Sequence, residues 1–451
     1  MLTAINPTTG KTLHEFPALN ADGMYAHIAA AHNAYPEWRK QSFNNRAEVL
    51  RGVAARLRDN KDELARLMAL EMGKPIKEGV PEVEKAAGCA EFYADNAERF
   101  LAREELPSDA SLSYVCYQPL GTILGILPWN APLWLAFRFL APALMAGNTC
   151  VLKHDPHTPA CAEAILKAFA DAPEDIAVNL PLTNDLVEQA IRAPDIAAVS
   201  FTGSSNAGKK VATVAASELK PAVLELGGSD PCIVLADADL DTAADVATLS
   251  RIINAGQSCI AAKRIIVEEK VYGEFVHMLS TRLQKLKLGD PTDSGTDIGP
   301  IARPDLRDNL HRQVSATIEA GARCHFGGEL PQRDGFFYPV TLLSDVTPDM
   351  CAFREETFGP VMVVTPAKSL EDALTLANDT DYGLGAAIWT GNAELAEQTA
   401  LEIEAGQVAI NGIVKTDPRL PSGGIKQSGY GRELGPHGIR EFVNAKQVWI
   451  K

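Results

Sequence analysis

The chain has 451 residues, 46% of them hydrophobic and 22% charged, with a formal net charge of −16. That length can bury large cores and predicts two or three domains of ordinary globular composition. The acidity excludes nucleic acid and anionic membrane as partners, while leaving room for a local basic pocket that takes a small anion.

Residues 1–16, "MLTAINPTTGKTLHEF", lack the basic and apolar regions of a secretory signal. The first hundred residues read as mainly helical. Residues 44–75 repeat apolar positions every three or four residues and stop at Gly73-Lys74-Pro75, and residues 82–105 continue in that style. From residue 121, short apolar runs at 121–127, 150–154, 197–203, 222–228 and 231–239 read as buried strands. Helical segments at 161–172, 184–193 and 208–219 lie between them. This alternation predicts a parallel sheet with helices on its faces.

A second alternating set begins near Leu240. It comprises a helix at 271–289, then segments at 360–366, 369–379, 385–391, 393–406 and 407–412, and predicts a second α/β domain. The glycine-rich 421–435 reads as a loop. Residues 441–451 alternate as an edge strand, which invites pairing with another subunit. Eight scattered cysteines without a C-x-x-C pair fit reduced thiols and a cytoplasmic protein.

From Pro119 through Leu152, Arg138 is the only charged residue. The stretch is long enough to span a bilayer. Pro128, Asn130, Pro132, Pro142 and Asn148 interrupt it, so it reads as buried strand and helix rather than a membrane span. A buried guanidinium needs a counter-charge, supplied either by a ligand or by an acid of the core.

Four places carry candidate chemistry. In "FTGSSNAGKKV", Gly203, Ser204 and Gly208 open a helix after a strand. Its amides suit a pyrophosphate, although an ordinary strand-to-helix turn reads equally well. Cys259, in "GQSCIAAKR", sits among small and polar residues after a helix, where a reactive thiol or an inert one can lie. Glu225 ends a buried strand, as a general base for that thiol or as a helix cap. Asn130, between prolines in "PWNAP", suits an oxyanion donor or an Asx turn.

Together, "PWNAP", "FTGS", "LELGG", "GQSC", "EETFGP" and "GGIKQSGYGRE" stand in the order found in the NAD(P)-dependent aldehyde dehydrogenase superfamily. The resemblance spans nearly the whole chain and is greatest to the short succinate semialdehyde dehydrogenases. It implies that Cys259 attacks the aldehyde, that Asn130 and the Cys259 amide hold the oxyanion, and that Glu225 activates the water that hydrolyses the thioester. It implies that Lys153 binds the adenosine ribose and that Trp129, Gly203, Ser204 and Gly208 line the cofactor site. Glu356 and Phe358 would position the nicotinamide ribose and ring. No metal is expected.

The resemblance further implies three parts: a Rossmann-like cofactor-binding domain (1–100 and 120–227), a catalytic domain (228–430) and a small β-arm (101–119 and 431–451). The arm would build a homodimer or homotetramer. Arg138 would hold the distal carboxylate of a small aldehyde substrate, succinate semialdehyde or a close ω-oxo acid such as glutarate semialdehyde. A buried ion pair with a core acid is the alternative for that arginine. An acylating enzyme that uses coenzyme A is disfavoured by Glu225, and a non-catalytic protein on the fold by the retention of Cys259, Glu225 and Asn130.

The chain departs from its relatives at several positions. Pro156 stands where NAD-preferring members carry a glutamate, so NADP is expected to be accepted as well as NAD. Ala261 replaces the second cysteine of a redox switch found in some relatives. Ala131 and Ser422 are small where enzymes for fatty and aromatic aldehydes carry phenylalanine. A second substrate arginine of some relatives is Ile253 here, leaving Lys415 or Thr416 to supply that contact.

Overall fold

A computed structural model describes residues 1–451. The chain builds two large sheets, and its route between them sets the site. The first sheet has six strands in the order Gly429–Tyr430, Ala222–Glu225, Ile196–Thr202, Thr122–Ile126, Thr149–Lys153 and Ala177–Asn179. All neighbours are parallel except Gly429–Tyr430, which runs antiparallel to Ala222–Glu225. The strand order reverses beside Thr122–Ile126, and ligand crevices form at the carboxyl ends of strands at such a point. The central strands are buried along their length, as near-continuous apolar runs covered on both faces.

The apolar stretch around Arg138 becomes the strand Thr122–Ile126, the helix Pro132–Met145 and the strand Thr149–Lys153. Every residue of that helix is buried, as befits a helix apolar on all sides. Pro132 sits in its first turn, where a missing N–H is harmless. A Cβ on Gly125 would strike the Phe139 ring, so glycine lets the helix press onto the sheet. The amides of Leu133 and Trp134 donate to Glu82 Oε1 at 3.0 and 3.2 Å, an acid at a helix N-terminus.

The second sheet has seven strands in the order Arg323–Phe326, Thr341–Ser344, Val361–Ala367, Ala262–Glu268, Asp230–Val234, Gly385–Trp389 and Gln407–Ile410. Only its first pair is antiparallel. The chain passes directly from Glu225, at the carboxyl end of a first-sheet strand, to Asp230, at the amino end of a second-sheet strand. The site lies in the gap this crossing creates.

Three regions differ from the sequence expectation. Residues near the N-terminus form an antiparallel hairpin, Leu2–Asn6 with Lys11–Phe16, closed by a turn in which Asn6 Oδ1 accepts the Thr8 amide at 2.9 Å. The stretch 421–435, expected as a loop, contributes Gly429–Tyr430 to the first sheet. Val443–Ile450 does pair with Leu112–Pro119, and Glu104–Glu105 completes a three-stranded arm. Residues 431–442, expected in the arm, instead turn inward, because Leu434, Ile439 and Phe442 bury their side chains in the first core. No helix is long and apolar enough to cross a membrane.

Candidate active site

The helix Leu240–Ile252 leads into the loop that carries Cys259. Asn254, Ala255 and Gly256 then take left-handed φ values of 55, 53 and 74°, turning the chain so that Ser258 and Cys259 precede the strand Ala262–Glu268. Two non-glycine residues in that region are strained and need outside support. Support comes from the Asn254 amide, which donates to Asn130 O at 2.8 Å and Gln257 O at 3.1 Å. The Asn254 backbone N–H donates to Glu78 Oε2 at 2.7 Å. Asn130 O also accepts from Lys74 Nζ at 3.1 Å, and Lys74 is paired with Glu82. Asn130 Nδ2 donates to Gln257 O at 3.1 Å, which occupies one of its two hydrogens.

The Cys259 thiol is partly buried, and burial pushes it up to about 11, with Lys263 and Arg138 acting the opposite way. Lys263 is fully buried and donates to Cys259 O at 2.5 Å and Ser258 O at 2.8 Å. It stands 3.3 Å from Glu356 Oε1, and Glu356 accepts the Gly228 amide at 3.1 Å. A Cβ on Gly228 would sit 2.7 Å from Cys259 O, so glycine is needed where the two loops meet. The sequence reading missed Lys263, although "AAKR" places it four residues after the thiol.

Glu225 and Arg138 are brought together, but not as a base beside a free substrate arginine. Arg138 is 3% exposed, and its Nη2 lies 3.1 Å from Glu225 Oε2 and also contacts Glu433. The guanidinium is therefore already paired within the chain. A buried cation has drawn two acids of its own chain, the alternative that the sequence had left standing. Burial opposes the charge on Arg138, and the two carboxylates hold it protonated. Burial raises Glu225 to about 7, against the pull of Arg138, and it raises Glu433 as well. Arg138 Nε and Glu225 Oε1 are buried without hydrogen-bond partners. Glu433 is held by a two-way backbone pairing with Ser422, at 2.7 and 2.8 Å.

Of the residues expected at the cofactor, Lys153, Trp129, Gly203 and Ser204 end or follow first-sheet strands, whereas Glu356 and Phe358 precede the second-sheet strand Val361–Ala367. Lys153 is buried, which lowers its pKa, and its Nζ donates to the neutral Asn184 Oδ1 at 2.7 Å. Gly203 and Ser204 form the turn into the helix Ser205–Ser217, where Ser204 Oγ accepts the Ala207 amide at 3.4 Å. A Cβ on Gly208 would collide with Leu226, so this helix starts tight against the crossing segment. Thr202 Oγ1 is buried and lacks a partner. Trp129 and Phe358 meet edge to face at 5.9 Å. A helix N-terminus, an orphaned hydroxyl and a buried lysine with only a neutral partner fit a dinucleotide.

Ile253, which stands in place of the second arginine, is 36% exposed, and of the two residues offered to supply its contact Lys415 is exposed. Thr416 is buried, and its Oγ1 accepts from Lys85 Nζ at 2.9 Å and Trp134 Nε1 at 3.1 Å. Lys85 Nζ also stands 4.1 Å over the Trp134 ring. Lys85 went unnoticed in the sequence, because one lysine in an amphipathic helix looks like a solvated one.

The aldehyde dehydrogenase family profile matches residues 1–448. The chain is 49% identical to a probable succinate-semialdehyde dehydrogenase (NADP+) of Synechocystis sp., over 100% of this chain and 99% of that one. It is 45% identical to succinate-semialdehyde dehydrogenase (NADP+) 1 of Mycobacterium tuberculosis, with the same coverage. The crystal structure of succinic semialdehyde dehydrogenase from Streptococcus pyogenes, in complex with NADP+ as the cofactor, superposes with a TM-score of 0.96 at 36% identity, covering 100% of both chains. A thiol, a carboxylate and a carboxamide gathered between two such sheets, in a chain alike from end to end, have one explanation: this protein belongs to the aldehyde dehydrogenase family.

Proposed function

We propose that the chain oxidises succinate semialdehyde to succinate with NADP+ as the preferred acceptor. What supports this most is end-to-end similarity to relatives of that name, together with cationic groups buried beside Cys259. NADP+, when bound, accepts the hydride that leaves the substrate carbon. Lys153, Trp129, Gly203, Ser204, Gly208, Glu356 and Phe358 are the residues proposed to hold it.

The chain's own residues do the rest. Cys259 Sγ adds to the aldehyde carbon, and the oxyanion takes a hydrogen bond from the second Asn130 Nδ2 hydrogen and another from the Cys259 amide. Lys263 and Arg138 favour the thiolate that makes this attack. After oxidation the acyl group is a thioester on Cys259. Glu225, ionised near neutral pH, takes a proton from the water that hydrolyses it. Arg138 keeps Glu225 close through Nη2 and offers donors not used by that contact to the substrate carboxylate.

Division of labour follows the sheets: the six-stranded sheet for the cofactor, the seven-stranded sheet for the nucleophile and the three-stranded arm for assembly into a homodimer or homotetramer. Exposed Trp449 and Ile450 on the arm favour assembly. Eight free cysteines suit the cytoplasm. Initial rates with succinate semialdehyde, glutarate semialdehyde and hexanal, each with NADP+ and NAD+, test the proposal. Succinate semialdehyde with NADP+ is expected to give the highest kcat/KM, and a preference for hexanal overturns it.

A further inference from the structure

Lys85 presents a problem of its own. It lies on the helix Ile76–Phe100, whose Glu82, Lys85 and Cys89 face the Arg138 helix. No acid comes close enough to form an ion pair with its ammonium. Glu82, one turn away, is already paired with Lys74. Asp417 lies on the loop beyond Thr416 and is engaged by Arg419, with Oδ1 2.8 Å from Nε. The nearest strong charge on the facing helix is the like-charged guanidinium of Arg138. A cation that is mostly buried, repelled by a neighbour and given only a hydroxyl and an indole face is short of an anion.

Thr416 is short of an acceptor as well. A hydroxyl oxygen has two lone pairs and one hydrogen. Lys85 Nζ and Trp134 Nε1 occupy both lone pairs of Thr416 Oγ1, so its O–H is left only to donate. Trp134 and Arg138 are one turn apart on the same helix and therefore share a face. Lys85 and Thr416 thus hold an ammonium without an acid partner and an O–H without an acceptor, and Trp134, which contacts both, shares a helix face with Arg138.

We infer that Lys85 and Thr416 form the seat for the distal carboxylate of the substrate, with Arg138 on its inner side. The inference rests on succinate semialdehyde, or a close ω-oxo acid, being the substrate. A carboxylate there accepts from the ammonium and the hydroxyl, and it separates the two cations that otherwise repel. Lys85 does the work expected of the arginine that Ile253 replaces. Trp134 acts as a positioning residue that fixes the ammonium through its ring face and orients Thr416.

Titration sharpens the test. Burial, then Arg138, bring Lys85 down to about 8, with Glu82, Cys89 and Asp417 opposing. The neutral amine does not attract a carboxylate, so kcat/KM for the acidic aldehyde, which reports the free enzyme, falls as pH rises through about 8. A neutral aldehyde lacks this fall. Dividing one profile by the other cancels the titrations of Cys259 and Glu225.

Initial rates with succinate semialdehyde and butanal decide the matter, in wild type, Lys85→Met, Lys85→Arg and Thr416→Val. In Lys85→Met, KM for succinate semialdehyde is expected to rise about ten- to a hundredfold, the low end for losing a partner of a partly solvated charge pair. The change for butanal is expected to be smaller by about tenfold or more, with Thr416→Val intermediate. Lys85→Arg should restore most of the affinity and abolish the fall near pH 8. Equal changes for both aldehydes, or an unchanged preference in Lys85→Met, overturn the role of Lys85 alone. A wild-type enzyme that prefers butanal overturns the substrate reading, and this inference with it.

Discussion

Asn254 donates its side-chain amide to the main-chain carbonyl of Asn130 at 2.8 Å, tying the Cys259 loop to the Asn130 loop across 124 positions of sequence. The same amide reaches Gln257 O, which also accepts from Asn130 Nδ2. The backbone turn before Cys259 and the carboxamide that faces it are therefore one hydrogen-bonded unit. Their relative placement is fixed before substrate arrives, as electrostatic stabilisation of an oxyanion requires.

Replacing Asn254 by alanine removes both bonds and leaves a Cβ residue at φ 55° without the side-chain support that asparagine gives itself there. A loss of about 1–3 kcal/mol in stability and at least tenfold in kcat is expected. Asn254→Gly relieves the backbone strain but not the lost amide. It should regain melting temperature while kcat stays low, and recovery of kcat in the glycine variant would show that strain, not the amide, was the cause.

Glu225→Gln should spare the first half of the reaction and stall the second, since only thioester hydrolysis needs the base. Stopped-flow is expected to show a burst of reduced cofactor followed by a slow steady state. In wild type, Glu225 works ionised, so hydrolysis should rise about tenfold per pH unit below about 7 and level off above it. A burst as slow as the steady state would place Glu225 earlier in the reaction.

Arg138→Leu leaves Glu225 and Glu433 buried together without a counter-charge. Breaking such a set costs about 3–5 kcal/mol. Both acids are pushed further up, so the hydrolytic step moves to more alkaline pH and slows for every aldehyde. Thermal denaturation should show the loss, and Arg138→Leu/Glu433→Gln should recover part of it, because the second change removes one stranded acid. A single variant as stable as wild type would mean the triad contributes nothing to the fold.

Pro156 follows Lys153, the lysine proposed to hold the cofactor, by three residues and carries no charge. Pro156→Glu brings a carboxylate towards the 2′-phosphate, a repulsion of a few kcal/mol at most near a surface, or about ten- to a hundredfold in KM for NADP+. NAD+ should be affected far less. Unchanged NADP+ kinetics would mean that position 156 does not face the phosphate.

Local signals made most helices and strands legible, and with them the positions of the proposed catalytic trio. The Gly73 stop needs only a left-handed residue, here at φ 82°, and Glu225 and Cys259 stand at strand ends that their own neighbours mark out. What stayed hidden depends on partners remote in sequence. Lys85 and Thr416 are 331 residues apart, and nothing in either segment announces the other. Arg138 advertised its need for a counter-charge, but whether Glu433 or a ligand met that need was a matter of packing. The N-terminal hairpin escaped because its exposed second strand has little apolar alternation to show.

The short strand Gly429–Tyr430 makes the setting of Glu225 depend on a distant part of the chain. It closes the edge of the very strand that carries Glu225, and the Arg138 partner Glu433 follows it by three residues. Without it, Ala222–Glu225 is an unpaired edge, and without Glu433 Arg138 keeps one of its two acids, so the carboxylate facing the cysteine is set by a segment about two hundred residues further along the chain.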